Sequence, residues 1–229
     1  AVHGVTISHY NGYIYAFGGF AYSTEYKPKW KSLNTIERYS IKDNKWEVIG
    51  TLPEPRSSNA ITVLGSKVYL VGGWDATPKF EGDKEVNIYA SWLVNNKWSA
   101  PFILAEGFMG DSTRYACYNP VLFLAPNNEL LLFYKIGPYV QGWTGWMKRS
   151  SNYGITWSAP EKLPDGILGP IRNQPYVVGD TLICPSSTEK NGWKVHFEYT
   201  TNNGRSWSKG PDLNDASPIT GIQPAVLNH

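Results

Sequence analysis

Residues 150–157 (SSNYGITW) and 200–207 (TTNNGRSW) repeat one pattern, in which a hydroxyl residue, an Asn, a Gly, a second hydroxyl residue and a Trp keep the same spacing. Each segment forms a polar turn after a strand-like run and ends in Trp. Trp46 and Trp98 close similar runs, so that four such Trp residues are separated by 52, 59 and 50 residues. An internal repeat of this length predicts that the chain is built from equivalent structural units.

The repeated unit has the length of a four-stranded β-propeller blade. Double glycines at 18–19 and 72–73 end apolar runs and mark the same position in two units. Alternating residue types over 194–199 (KVHFEY) support strands, and no segment has helical spacing with caps. We therefore predict an all-β propeller of four-stranded antiparallel blades, with an extra strand at 222–228. The four blades are expected at about 1–50, 51–105, 111–162 and 166–213.

Composition excludes several classes of protein. The chain has 229 residues, of which 41% are hydrophobic and 17% charged, so it is not intrinsically disordered. A net charge of +2 gives no support to nucleic-acid binding, and no apolar run is long enough to span a membrane. The two cysteines form either one disulfide or, as we favour, two buried thiols. Metal-ligand spacings and phosphate loops are absent, so we expect neither a metal nor a cofactor.

The N-terminal part resembles kelch-repeat propellers. The residues that carry the resemblance are 13–19 (YIYAFGG), Tyr39, Trp46 and 68–73 (VYLVGG). The remainder resembles BNR, or Asp-box, sialidase-like propellers, because 150–157 and 200–207 match the Asp-box pattern with Asn in place of Asp. Asn can still accept the hydrogen bonds that close such a turn. In that family these turns are structural, and the four repeated Trp residues are expected to pack in cores.

Together the two resemblances imply one propeller domain over 1–229, kelch-like over 1–74 and sialidase-like over 75–229. Such a chain is a natural hybrid, a spliced fragment or an engineered chimera. We expect no signal peptide within residues 1–12, which lack its pattern. The sialidase-like part favours a secreted or periplasmic location.

Three arginines occupy equivalent positions 58 residues apart, before the first and innermost strand of successive blades. Guanidinium groups converging on one channel would bind a carboxylate or phosphate. Sialidases hold their substrate carboxylate with three arginines, and kelch propellers can bind acidic peptides at the same place. These candidate ligand-binding residues are Arg56, Arg114 and Arg172. The other arginines, Arg38, Arg149 and Arg205, are expected to be solvated or peripheral.

Glycoside hydrolysis needs two groups beside the anomeric carbon. The catalytic candidates are Asp165, Glu189 and Glu198. Lys135 lies in an apolar strand and is expected to pair with Glu189, while His196 shares a strand face with Glu198. The stretches that resemble the sialidase-like family add further ligand-binding candidates, Asn119 and Gln223. The family's Tyr nucleophile comes from a late blade and has no counterpart here.

Three functions remain open at this stage. The first is a sialidase-like glycoside hydrolase acting on an acidic sugar. The second is a binding module for an anionic glycan or an acidic peptide, without catalysis. The third is a hybrid scaffold without an evolved activity. An unpaired blade edge would also favour homo-oligomers.

Overall fold

The computed structural model describes residues 2–26, 29–64, 67–74, 86–94, 97–110 and 112–226. Over these ranges the chain is almost entirely strand and turn, and its one helix is a single 3-10 turn at Val140–Gly142. No helix in the described ranges is long and apolar enough to cross a membrane. The chain forms two compact units, Ala1–Lys79 with Ile88–Leu104 and Phe80–Asn87 with Ala105–His229.

The first unit contains three antiparallel sheets. Their strands are β1 (Val2–His3), β2 (Thr6–Tyr10), β3 (Tyr13–Phe17), β4 (Phe20–Tyr22), β5 (Trp30–Ser32), β6 (Thr35–Ser40), β7 (Lys45–Thr51), β8 (Ser57–Leu64), β9 (Lys67–Trp74), β10 (Ile88–Val94), β11 (Lys97–Trp98) and β12 (Phe102–Ala105). One sheet has the strand order β2-β3-β6-β7, and a small sheet has the order β1-β4-β5. The third sheet has the order β11-β10-β9-β8, and β12 pairs with β10.

The second unit contains two four-stranded antiparallel sheets, each in simple sequence order. The strands of the first are β13 (Ala116–Leu124), β14 (Leu130–Gly137), β15 (Thr144–Ser150) and β16 (Glu161–Lys162). Those of the second are β17 (Tyr176–Val178), β18 (Thr181–Thr188), β19 (Lys194–Thr200) and β20 (Ser208–Lys209). These sheets coincide with the predicted third and fourth blades, and the two larger sheets of the first unit coincide with the other two.

The core of the second unit is built around β14, all eight residues of which are buried. Phe133 on this strand is fully buried, and the indole of Trp207 packs edge-on against it with ring centroids 6.0 Å apart. Cys117 and Cys184 are both buried free thiols, which confirms the interpretation that we favoured. Burial of large apolar and aromatic groups of this kind is the main stabilising contribution to such a sheet.

The double glycines are required by close backbone contact. Gly18 has φ +60° and Gly19 has φ +103°. A Cβ on Gly18 would lie 2.1 Å from the carbonyl oxygen of Arg56, where no side chain fits. Positive φ recurs at Gly72 and Gly73. The double glycines in the sequence therefore mark backbone conformations that other residues rarely adopt.

The two Asp-box segments form matching turns. In the first, Asn152 Oδ1 accepts the Thr156 N–H at 2.9 Å, and Ser150 Oγ accepts the Gly154 N–H at 2.8 Å. The second turn repeats these bonds at 2.8 and 2.7 Å from the equivalent residues. Each Trp then donates its indole N–H to the carbonyl of the box glycine. The Asn residues thus take the structural part expected of Asp.

Replacing Asn152 by alanine should lower the free energy of unfolding by about 1–2 kcal/mol, because two hydrogen bonds to its Oδ1 are lost. Asn152→Asp keeps both acceptor positions and should stay close to the wild type. Urea denaturation of the two variants measures the difference. Equal loss in both variants would show that the amide oxygen does not hold the turn.

Three expectations need correction. Residues 222–226 are not a strand, and the rest of the predicted extra strand lies outside the described residues. Trp46 does not pack in a core: it is 49% exposed on β7, and its ring packs at a tilt against Tyr39 with ring centroids 5.2 Å apart. Arg149 is not solvated, because its side chain is only 11% exposed and lies 3.1 Å from the carboxylate of Glu161.

Candidate functional site

A pocket of about 240 Å³ opens in the second unit at the ends of its two sheets. Three segments line it: residues 140–145, from the 3-10 turn into the start of β15; residues 162–168, from the end of β16 into the connection that follows; and residues 187–190, from the end of β18 into the connection that follows. Lys209 on β20 completes the lining. Most of the lining thus lies in connections between strands, and the adjoining strand ends supply the rest.

The charged groups of the pocket are three lysines and two carboxylates. The lysines, Lys162, Lys190 and Lys209, come from three different elements. The carboxylates are Asp165 and Glu189, two of the three predicted catalytic residues. The structure thus brings Asp165 and Glu189 to one site, and the excess of positive charge suits an anionic ligand.

The two carboxylates have different surroundings. Asp165 is 91% exposed, and Lys162 Nζ lies 2.9 Å from its Oδ1. The hydrogen bond from Lys162 lowers the pKa of Asp165, so this group is ionised at neutral pH. Glu189 is half-buried at the end of β18. Asp165 is thus an exposed carboxylate paired with a lysine, whereas Glu189 is partly covered, and the catalytic role of both stays a prediction.

One wall of the pocket, formed by residues 163–168, packs closely against β15 at Gly145. A Cβ at this position would lie 2.7 Å from the carbonyl oxygen of Ile167 and 2.8 Å from the Cα of Leu168. The Leu163 N–H also donates to the Gly145 carbonyl at 2.8 Å. The wall segment 163–168 therefore lies directly on the strand, at a distance that only glycine permits.

Charged side chains are buried beneath this wall. Lys135 on β14, together with His196 and Glu198 on β19, has no solvent exposure. Glu198 accepts the backbone N–H groups of Leu168 and Gly169 at 3.1 and 2.6 Å. Glu198 is therefore beneath the pocket, not among its lining residues, and its place differs from that of the other two predicted carboxylates.

The expected pairing of Lys135 with Glu189 is wrong. Lys135 Nζ donates to the Pro170 carbonyl at 2.9 Å, and the carboxylate that acts on its charge is Glu198. Burial lowers the pKa of Lys135 to about 7, an effect that Glu198 partly opposes. The alternation along β19 thus exists, but its buried face is the polar one.

His196 lies between two carboxylates. Its Nε2 is 3.1 Å from Glu198 Oε1, and its Nδ1 is 4.0 Å from Asp212 Oδ1. The predicted proximity of His196 to Glu198 is present, although both groups lie in the interior. Neither ring nitrogen is exposed, so direct contact with a ligand is excluded for His196 in this conformation.

The three predicted arginines each precede the first strand of a sheet, β8, β13 and β17. Arg56 forms an ion pair with Glu54, and Arg114 lies 3.7 Å from the carboxylate of Glu106. Arg172 is exposed, with φ +65°. Since Arg56 belongs to the first unit, convergence of all three on one channel stays a prediction. In the second unit, the cations that line the pocket are lysines.

Asn119 and Gln223 both have positive φ, at 44° and 54°. The Gln223 N–H donates to the hydroxyl of Ser187, a pocket residue, at 3.2 Å. Asn119 lies at a register shift in β13, next to Tyr118, whose ring packs at a tilt against the pocket residue Trp143 with centroids 5.0 Å apart. Gln223 thus contacts a pocket residue through its backbone, and the role of both residues as ligand contacts stays a prediction.

Sequence reasoning missed the pocket lysines. Lysines near strand ends are common on surfaces, and Lys162, Lys190 and Lys209 have no shared motif. No group of three or more His, Cys, Asp or Glu residues within the described part of the chain has the arrangement of a metal site.

Comparisons with known families identify two matches. A family model for a BNR repeat-like domain matches residues 51–229, and a Kelch motif model matches residues 1–53. The chain therefore combines the two repeat types, as its sequence predicted. The two matches meet at residues 51–53, earlier than the predicted join at residue 74.

Curated relatives match part of the chain. A Kelch domain-containing protein of Sulfurisphaera tokodaii is 28% identical over 114 residues, which are 48% of this chain and 14% of that protein. Kelch-like protein 40 of Xenopus laevis is 32% identical over 108 residues, which are 45% of this chain and 16% of that protein. The chain thus spans a small part of the length of these relatives.

Solved structures share the fold over most of the chain. YjhT covers 98% of this chain and is itself covered to 73%, with a TM-score of 0.64 and 14% identity. Trypanosoma rangeli sialidase in complex with the inhibitor DANA covers 91% of this chain and is covered to 38%, with a TM-score of 0.61 and 14% identity. At such identity the likeness shows the fold alone, which is the predicted all-β propeller type.

Proposed function

We propose, from the premise that this chain belongs to the BNR repeat-like domain family, that it is a sialidase-like glycoside hydrolase. Its substrate is an acidic sugar bound in the pocket of the second unit. The observation that carries the proposal is the meeting of three lysines with Asp165 and Glu189 in one cavity. A cavity of this kind offers both charge complementarity and the two carboxyl groups that hydrolysis requires.

The lysines supply recognition. Each is a compact positive charge that can contact a sugar carboxylate, and together they outnumber the two carboxylates of the pocket. The apolar lining residues Trp143, Leu163 and Ile167 offer a surface for the ring of the sugar. Acidic sugars should therefore bind better than neutral sugars of the same size.

The carboxylates supply the chemistry. Glu189 donates a proton to the oxygen of the leaving group, and the ionised Asp165 acts on the opposite side as base or nucleophile. Sialidases of the propeller type are among the proteins that share this fold, which supports hydrolysis as the reaction class.

The proposal is tested by binding of sialic acid and glucuronic acid, with glucose as the neutral comparison. Changing Lys162, Lys190 and Lys209 together to glutamine should weaken binding of both acids at least tenfold in low salt. Three partly exposed charge contacts of about 0.5–1 kcal/mol each are then lost. Titration calorimetry measures the dissociation constants, and Lys45→Gln on β7 is the matched control.

Wild-type protein that binds glucose as tightly as the two acids would contradict acidic-sugar recognition.

A second candidate function, binding without catalysis, is favoured by the 91% exposure of Asp165, because enzymes usually exclude water from the reacting groups. An acidic glycan or an acidic peptide would then be the ligand. Tight binding of the acids without turnover would select this alternative.

A further inference from the structure

Buried charges hold three consecutive residues of one pocket wall. The N–H groups of Leu168 and Gly169 donate to the two oxygens of Glu198, at 3.1 and 2.6 Å. The carbonyl of the next residue, Pro170, accepts from Lys135 Nζ at 2.9 Å. The two side chains come from different sheets, β19 and β14, so this segment is tied to both.

The same segment forms part of the pocket surface. Ile167 and Leu168 line the cavity, and Leu168 is the first of the three residues that are held from below. Gly145 lies under them so closely that a Cβ would collide with their backbone. Any shift of residues 167–169 therefore changes the shape of the pocket.

Glu198 is itself oriented by its neighbours. His196 Nε2 lies 3.1 Å from its Oε1, and Cys184 is its register partner on β18. Burial raises the pKa of Cys184, and the charge of Glu198 adds to this effect, so the thiol stays protonated. A carboxylate in such an interior is costly unless its oxygens are satisfied, and the two wall N–H groups satisfy them.

We infer that Glu198 and Lys135 are positioning residues for the pocket, which set its affinity for an acidic sugar although neither touches the ligand. They do so by holding the backbone of residues 168–170. The inference rests on the proposed function for the identity of the ligand. Apolar side chains could fill the same space without fixing three backbone groups, so rigidity of the wall is the property that the charges add.

Two variants separate this role from ordinary stabilisation. Glu198→Gln replaces one acceptor oxygen by an NH₂ group, so that only one of the two wall N–H groups keeps its acceptor. The double change Lys135→Met with Glu198→Leu removes both buried charges and fills the space with apolar groups, an exchange that often preserves stability. Glu47→Gln, on the surface strand β7, is the matched control.

Amide hydrogen exchange at Leu168 and Gly169, followed by NMR on the full chain, reports on the wall without any ligand. Exchange should accelerate at least tenfold in both variants. The dissociation constants of sialic acid and glucuronic acid should rise at least tenfold in both, and denaturation should find the double variant close to wild-type stability. Glu47→Gln should change none of these.

Unchanged exchange at both amides would overturn the inference, as would a double variant that binds the sugars like the wild type. If Lys135 and Glu198 only stabilised the fold, the double variant would keep both its stability and its binding of the sugars. If the wild type binds neither sugar, the proposed function fails. The exchange rates then decide separately whether these two residues hold the wall.

Discussion

Replacing Glu189 by glutamine is expected to lower kcat on a fluorogenic acidic glycoside by about 10²–10⁴-fold, because the general acid that we propose is lost. The amide has nearly the same shape and can still occupy the end of β18, so KM should change little. Sialosides and uronides are the substrates to measure, since both have a carboxylate for the pocket lysines. The basis of the expectation is the location of Glu189 in the cavity that also contains Asp165.

The matched control is Glu47→Gln, which changes a glutamate that pairs with Arg38 on the surface of the other unit. It should retain wild-type kcat on every substrate. Equal turnover by Glu189→Gln and wild type would remove Glu189 from the mechanism. Absence of turnover by the wild type, with sialic acid still bound, would support recognition without hydrolysis.

The stability of the wild type relative to Lys135→Met should rise with pH between about 7 and 10. Burial lowers the pKa of Lys135 from its ordinary 10.5 to about 7. In this window the folded lysine has lost its proton while the unfolded one still binds it, so rising pH favours the folded state. Below pH 7 both states hold the proton and the difference is constant. Each pH unit in the window adds at most about 1.4 kcal/mol.

Urea denaturation of both proteins from pH 6 to 10 measures this difference. Lys45→Met, at an exposed position of β7, is the control and should differ from the wild type by the same amount at every pH. A difference between wild type and Lys135→Met that stays flat over the whole range would show that Lys135 keeps its ordinary pKa in the fold.

The catalytic candidates show how far sequence reasoning reached. The sequence predicts Glu189 and Asp165 as catalytic candidates, and both line one pocket. It also predicts that His196 shares a strand face with Glu198, which is correct, yet that face is the buried one. Alternation of residue types along a strand shows that the strand has two different faces, but it does not show which face is buried. A charged face can be the buried one when a neighbouring loop provides hydrogen-bond partners for its side chains.

Partners of long side chains were the least predictable feature. Lys135 was expected to meet Glu189, but it donates to Pro170, 35 positions along the chain. Arg149 was expected in water, but it is nearly buried beside Glu161. Such contacts depend on how connecting segments cross the ends of the sheets, and the residues within those segments do not specify that path.

The strands, the four repeated sheets and the Asn-centred turns of this protein follow from local patterns in its sequence. These features depend on residues a few positions apart: Asn152 closes a turn on Thr156, and Gly18 has a backbone conformation that other residues avoid. Local patterns do not show which charges share one pocket or which charge lies beneath its wall, because both depend on how the sheets pack. The pocket lysines Lys162, Lys190 and Lys209 come from separate strands and loops. So do Glu198 and Lys135, which hydrogen-bond the backbone of residues 168–170. Such groups meet only after the sheets have packed.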